Sequence, residues 1–388
     1  MSEISRRGLL WQGGATALAA AAAACAPQSA PAAPASNPAP AAPAAKPAWL
    51  GQWDDWVAGA KKEGVLNLVT APGVGFRRVF EAFEQAFPGV KVEHSPFASV
   101  NLFAPKLIQE RAAGVFSWDV VSHGPSTLLT VVKKDGGSDP IRPVLIHPDV
   151  IDDSKWNGGV AAGFIDKNPE TAYSFAWERL VQFWVNTDMV RPDEIKNAKD
   201  LVDPKWRGKI ALYDPRTGGQ TYITAAAMRM VYGDGILSQL FLDQKPALSR
   251  DERQLTEWLV RGQYAIATGP RAASFQEFVE QGLGKNVRKL LLPDVSPLWG
   301  ASPVVLLNKA PHPNAAKIFI NWLLGKEGQT QWAKNVQQNS RRNDVPVFDA
   351  EVYPEAGAEK RVPRFDLEEN IPRILETQEI AKRLLGNQ

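Results

Sequence analysis

Three strand-like runs, Val65–Thr70, Val90–His94 and Trp118–His123, alternate with two helical stretches, and this order constrains the fold more than any other feature. In the first helical stretch Phe76, Val79, Phe80, Phe83 and Phe87 fall at i, i+3, i+4, i+7 and i+11, one apolar stripe on a helix. Pro72-Gly73 and Pro88-Gly89 punctuate its ends, and the second stretch, Leu102 to Ala113, stops at Gly114. Strands joined through helices can pair in parallel, so the segment reads as a βαβ series with helices covering a parallel sheet. A helix over Trp53–Ala60, closed near Gly64, precedes it.

The pattern restarts later. A stretch rich in Pro, Asp and Gly runs from Lys133 to Thr171, and Arg179–Asn186 then reads as one long strand. Lys209–Tyr213 predicts a strand, Thr221–Tyr232 a helix, and Ser249 with Glu252 three residues on predicts a capping box at the next helix. Tyr264–Gly269 and Pro303–Asn308 predict strands, and Asn314–Asn335 and Ile371–Leu385 predict helices. A chain of 388 residues is long for one core. The fold class expected is α/β, in two lobes.

Residues 1–25 read as an export leader. Ser5-Arg6-Arg7-Gly8-Leu9-Leu10 matches the twin-arginine pattern and precedes a mild apolar run from Trp11 to Ala24. That run ends at Cys25, the sole cysteine, after Ala22-Ala23-Ala24. The arrangement resembles a bacterial lipobox with Ala22 where Leu is preferred; lipidation of Cys25, or ordinary cleavage within the alanines, is expected. Residues 26–48, mostly Ala, Pro, Ser and Asn, cannot bury enough apolar surface to order themselves and read as a disordered spacer. The globular part therefore holds no disulfide. A formal net charge of +2 gives no electrostatic case for nucleic acid.

Four stretches carry a family resemblance. "WVAGAKKEGVLNLVT", "LVQFWVNTDMV", "DLVDPKWRGKIALYDPRTGG" and "APHPNAAKIFINWLLGKEGQTQW" resemble, in order and spacing, the extracellular solute-binding proteins of ABC importers, in the branch with the iron(III)-binding members. The resemblance implies a two-lobed, type II periplasmic-binding-protein-like architecture with a ligand cleft between lobes that close on a hinge. It implies lobe 1 from residues 49–171 and 269–309, and lobe 2 from 172–268 and 310–388. The implied partners are a small ligand and a membrane permease, with a monomer expected, no cofactor, and an exported, lipid-anchored location.

Ligands of open parallel sheets bind beyond the carboxyl ends of the strands. Four junctions qualify: Thr70 to Gly75, His123 to Ser126, Arg216 to Tyr222, and Thr268 to Arg271. The Gly218-Gly219 turn leaves backbone N–H groups outward at a helix start, a seat for negative charge. The expected ligand residues are Thr70, Gly73, His123, Ser126, Arg216, Thr217, Gly218, Gly219, Gln220, Tyr222 and Arg271, with Trp299 either on the wall or in the core. Micromolar binding requires about 8 kcal/mol. Two arginine contacts at roughly 1.5–3 kcal/mol each, with backbone donors and aromatic burial, approach it. An anion is expected: a carboxylate, a phosphonate or another oxyanion, or a metal bound with one.

Iron(III)-binding members commonly use an adjacent tyrosine pair, which this chain lacks. If iron is the cargo, Tyr173, Tyr213 and Tyr222 are the candidates, and each also reads as a packed aromatic. His94, His123, His147 and His312 show no metal spacing. For an enzyme the signs are poor: no Lys-Ser/Thr ends the glycine loop, no G-x-S-x-G elbow occurs, and Asp214 reads as a turn residue. A lipoprotein that senses a ligand for a receptor is the other reading left open.

Overall fold

The computed structural model describes residues 46–97, 100–180, 183–191, 193–300, 302–355, 357–358 and 363–386. The leader, Cys25 and the spacer up to residue 45 lie outside the described residues.

Helix α1 (Ala48–Glu63) ends where the N–H of Gly64, at φ 75°, reaches the carbonyl of Ala60. Strand β1 (Val65–Thr70) leads to α2 (Val74–Ala86), which buries Phe76, Val79, Phe80 and Phe83, while Phe87 closes the helix. Strand β2 (Lys91–Pro96) pairs in parallel with β1, Val65 opposite Lys91. Helix α3 (Val100–Ala112) returns to β3 (Val120–Ser122), parallel to β1 on its other side. The expected βαβ series is present. Short elements follow: α4 (Pro125–Thr127), β4 (Ser138–Asp139), α5 (Pro148–Ile151) and β5 (Ala172–Tyr173).

The long strand expected over Arg179–Asn186 is two short ones, β6 (Glu178–Arg179) and β7 (Phe183–Asn186). They belong to different sheets. Strand β8 (Ile210–Tyr213) is followed by α6 (Gln220–Tyr232), α7 (Gly235–Ser238), β9 (Ala247–Ser249) and α8 (Glu252–Val260). The N-cap of α8 is Asp251, whose carboxylate accepts from the N–H groups of Arg253 and Gln254. The expected Ser249–Glu252 box does not form, because the Glu252 carboxylate is taken by Arg271. Next come β10 (Ile266–Thr268), α9 (Gln276–Glu280), β11 (Val287–Leu290), β12 (Leu298–Trp299) and β13 (Val304–Leu307). The single helix expected over Asn314–Asn335 is α10 (Pro313–Leu324) and α11 (Lys326–Val336), broken at extended Gly325. Helix α12 (Ile371–Leu385) has its expected bounds.

One sheet has the order β2-β1-β3-β13-β4, with β5 also on β13; the other runs β11-β7-β10-β8-β9. A ribbon of β6 and β12 stands apart from both. The sheets divide the chain differently from the expected lobes. Strand β5, expected at the start of lobe 2, joins the first sheet, and β11, expected in lobe 1, pairs with β7 in the second. Helix α10 packs on α1 and α11 on α2, so much of 310–388 covers the first sheet; α12 packs on α6. The reason is aromatic. Phe83 meets Phe319 at 5.1 Å and Trp322 at 5.4 Å, and Phe76 meets Trp332 at 5.4 Å. The apolar stripe of α2 thus finds its cover in helices far along the chain, α10 and α11, each fully buried ring contributing about 1.5–3 kcal/mol.

Candidate functional site

Strands β8, β9 and β10 are parallel, so their carboxyl ends share one edge of the second sheet. Strand β8 ends at Tyr213, and the chain turns through Asp214 to Gly219 before α6. The turn is held by the N–H of Thr217 donating to the carbonyl of Asp214, 3.1 Å, and by that of Arg216 donating to the Asp214 carboxylate, 3.0 Å. Gly218 and Gly219 take φ 105° and 87°. A Cβ on Gly219 would also lie 2.9 Å from the Tyr213 ring, so backbone and contact both demand glycine there. Gly269, just past β10 at φ 120°, brackets Tyr213 from the other side: its Cβ would lie 2.5 Å from that of Tyr213.

The two arginines read from the sequence part ways. Arg216 places Nε on Asp214 Oδ1 at 2.8 Å, Nη2 on Oδ2 at 2.9 Å and Nη1 on the carbonyl of Gly386 at 2.9 Å, with 12% of its side chain exposed. Its fork is occupied. It moors the glycine turn to the far end of α12, and Gln378 adds a bond to the Arg216 carbonyl at 3.0 Å. Arg271 gives Nε and Nη2 to Glu252 at 2.9–3.1 Å, but its side chain is 52% exposed and Nη1 makes no hydrogen bond among the described residues. Arg250, which sequence reasoning missed, gives Nε to Asp214 Oδ2 at 3.0 Å and is 62% exposed. Nothing local marks it. Only the short strand β9, itself unread, places Arg250 at the site edge.

Electrostatics follow this layout. Burial opposes charge on Asp214, but hydrogen bonds from Arg216 and Arg250 hold its carboxyl below the usual range. Burial likewise opposes charge on Glu252, and Arg271 with Ser274 outweighs it, so this carboxyl is also lowered. Burial, then Glu252, pushes the Tyr213 phenol up. Asp214 is the turn residue it was expected to be, bonded through both oxygens.

The first sheet supplies the facing loops. His123 sets Nε2 3.0 Å from the carbonyl of Phe97 and accepts the N–H of Gly124 on Nδ1 at 2.8 Å, which fixes the neutral tautomer. Burial holds its pKa down, and Arg271 is near enough to push the same way. Ser126 Oγ lies 3.4 Å from Tyr222 Oη, joining the loop after β3 to the first turn of α6. Gln337 donates to Gln276 Oε1 at 3.0 Å, which ties the end of α11 to the start of α9. Thr70 is buried, bonded to His94 Nε2 at 2.8 Å and to the Ala71 carbonyl, while Gly73 is exposed at the start of α2. Trp299 is buried in the ribbon opposite Glu178. Thr217 is half-buried, its hydroxyl bonded to the Asp214 carbonyl at 2.9 Å, and Gln220 begins α6.

The candidate metal tyrosines lie on three separate elements. Tyr173 lies in β5 of the first sheet, boxed by Trp156 and Phe164 at 5.4 and 5.0 Å, its phenol pushed up to about 12 by burial. Tyr222 is buried at the base of α6, also with a raised phenol, and Tyr213 is on β8. Among the described residues no group of three or more His, Cys, Asp or Glu is placed to hold a metal ion. No described helix is long and apolar enough to cross a membrane.

Comparison with solved structures matches the fold. Iron-bound HitA from Pseudomonas aeruginosa superposes with a TM-score of 0.65 at 16% identity, over 82% of this chain and 99% of that one. The substrate-binding protein of an ABC transporter from Agrobacterium tumefaciens gives 0.65 at 15% identity, over 85% and 95%. The periplasmic binding protein AfuA from Actinobacillus pleuropneumoniae, with fructose-6-phosphate bound, gives 0.60 at 20%, over 81% and 97%. An uncharacterized protein of Haemophilus influenzae is 24% identical over 157 residues, which span 39% of this chain and 44% of its own length. The family model described as bacterial extracellular solute-binding protein matches residues 66–335, well over half of the sequence. The chain belongs to the bacterial extracellular solute-binding proteins.

Proposed function

We propose that this protein is the solute-capturing component of an ABC import system, holding a small organic anion between its lobes and presenting it to a membrane permease. One observation carries the reading: Arg250 and Arg271 stand more than half exposed at the carboxyl edge of the second sheet, with His123 of the first lobe near enough to Arg271 to feel its charge. Sheet membership supports redrawn lobes, about 46–175 with 302–336 in the first, and about 183–295 with 365–386 in the second. Tyr213, bracketed by glycines, floors the site, and the N–H groups opening α6 add donors. An organic anion is favoured over iron because the three tyrosines sit on separate elements and their phenols are raised by burial. Upstream, the twin-arginine pattern and Cys25 support export and a lipid tether; loss of labelled-lipid incorporation in Cys25→Ala would test it.

Calorimetric titration of the co-purified ligand, identified by mass spectrometry, tests the cleft reading. Arg271→Ala is expected to weaken binding at least tenfold, the loss of one charge-assisted contact of about 1.5–3 kcal/mol. Arg216→Ala is expected to lower thermal stability first. Unchanged affinity in Arg271→Ala would remove the reading, as would chemical conversion of the ligand.

A further inference from the structure

We infer that the guest carries a single negative charge, and that Asp214 and Glu252 impose that limit. The inference rests on the anion-binding reading of the cleft and goes on to name the class of guest. Three guanidinium groups and two carboxylates are bonded to one another at this edge of the second sheet. Arg216 is spent on Asp214 through two bonds of 2.8 and 2.9 Å, and its remaining fork donor is on Gly386. Arg271 is matched with Glu252, which also receives the Arg271 N–H at 2.8 Å and the hydroxyl of Ser274.

That leaves Arg250, which shares Asp214 through a single bond, as the surplus cation. Of the neighbouring titratable groups, Asp251 is spent on the N–H groups of Arg253 and Gln254 at the positive end of α8, and Arg253 is paired with Glu277. His123 is held as the neutral tautomer by its bonds to Phe97 and Gly124, and Tyr213 is an un-ionised phenol. The bonded arginine set therefore keeps one net positive charge. Its open donors, Nη1 of Arg271 and the Nη pair of Arg250, suit one carboxylate. A second anionic group on the guest would meet no spare cation, and two fixed carboxylates stand directly behind the arginines. The body of such a guest would lie over the half-buried ring of Tyr213. The class is a small organic monocarboxylate, with hydroxyl groups or an apolar body, rather than a dicarboxylate, tricarboxylate or phosphate ester.

The test uses matched acids that differ by one charge, gluconate against glucarate and lactate against malate, titrated calorimetrically into the full chain at fixed ionic strength. In at least one pair the monoanion is expected to bind at least tenfold tighter. Asp214→Asn and Glu252→Gln are each expected to narrow that ratio at least threefold; two variants are used because either carboxylate also positions an arginine. Tighter binding of the dianion by the wild-type protein, lost in Arg271→Ala, overturns the charge limit while the cleft reading stands. No Arg271-dependent binding of any of the four acids overturns both.

Discussion

Replacing Glu178 by Gln should stabilise the protein by an amount that grows as pH rises above the ordinary carboxylate range. Glu178 sits in the ribbon between the sheets, opposite Trp299. Burial, with Asp349 beside it, raises its carboxyl from 4.5 to about 8 against the opposing pull of the Asn339 N–H and Lys289. Lys289 is itself engaged with Asp349 and with Glu351 at 2.9 Å, so it is poorly free to serve a third carboxylate. The sign follows from proton counting. Between the unfolded value of 4.5 and the folded value of about 8 the native state holds a proton that the unfolded chain has lost. Stability therefore falls as pH rises through that window and is flat below and above it. At about 1.4 kcal/mol per pKa unit the full interval caps the effect near ~5 kcal/mol. Partial access of water to this side chain brings the expected gain to ~1–2 kcal/mol, or ~2 °C in a domain of this size. Scanning calorimetry of both proteins from pH 4 to 9 reads it. The curves should coincide at the acid end and separate progressively towards pH 8. Parallel curves, or a gap that opens only in acid, would refute the reasoning.

Two further outcomes are expected. Phe83→Ala should cost about 3–5 kcal/mol, because Phe83 is fully buried between Phe87, Phe319 and Trp322; a loss below about 1 kcal/mol in urea unfolding would show that α2 does not lean on α10. Gly219→Ala, at φ 87° and 2.9 Å from Tyr213, should cost about 1–3 kcal/mol and loosen the turn, and an unaltered melting point would show that the turn is not strained.

How much of this was legible in the sequence depended on the range of the forces involved. Local periodicity placed β1, α2, α6 and α12 to within a residue or two, because burial of one face and nearby glycine or proline decide such elements. The division of Arg179–Asn186 could not be read, since its residues look alike in hydropathy but pair with β12 and β11, which lie a hundred residues away. Short strands such as β9 left no signal, and Arg250 went unseen with it. The glycine turn was found in its place between a strand and a helix, and Gly218 and Gly219 both take positive φ there. What sequence could not supply was the direction of a long side chain. Arg216 and Arg271 occupy similar positions after parallel strands, yet one is folded back on Asp214 and Gly386 and the other stands in the open. That difference was set by Glu252, whose spacing from Ser249 suggested a helix cap and whose carboxylate serves a residue 19 positions on.

The chain passes between the two sheets three times: through β6, through β12, and again from α11 to α12. The third passage is stitched to the other two, with the Trp177 N–H on Asn339, the Arg179 N–H on Val352 and the Leu298 N–H on Pro363. Three cords bonded side by side behave as a strap, stiff against twisting and shear and compliant only about its width. Swinging of one half against the other would then follow a single arc, so whatever enters meets the same two walls in the same alignment on every cycle.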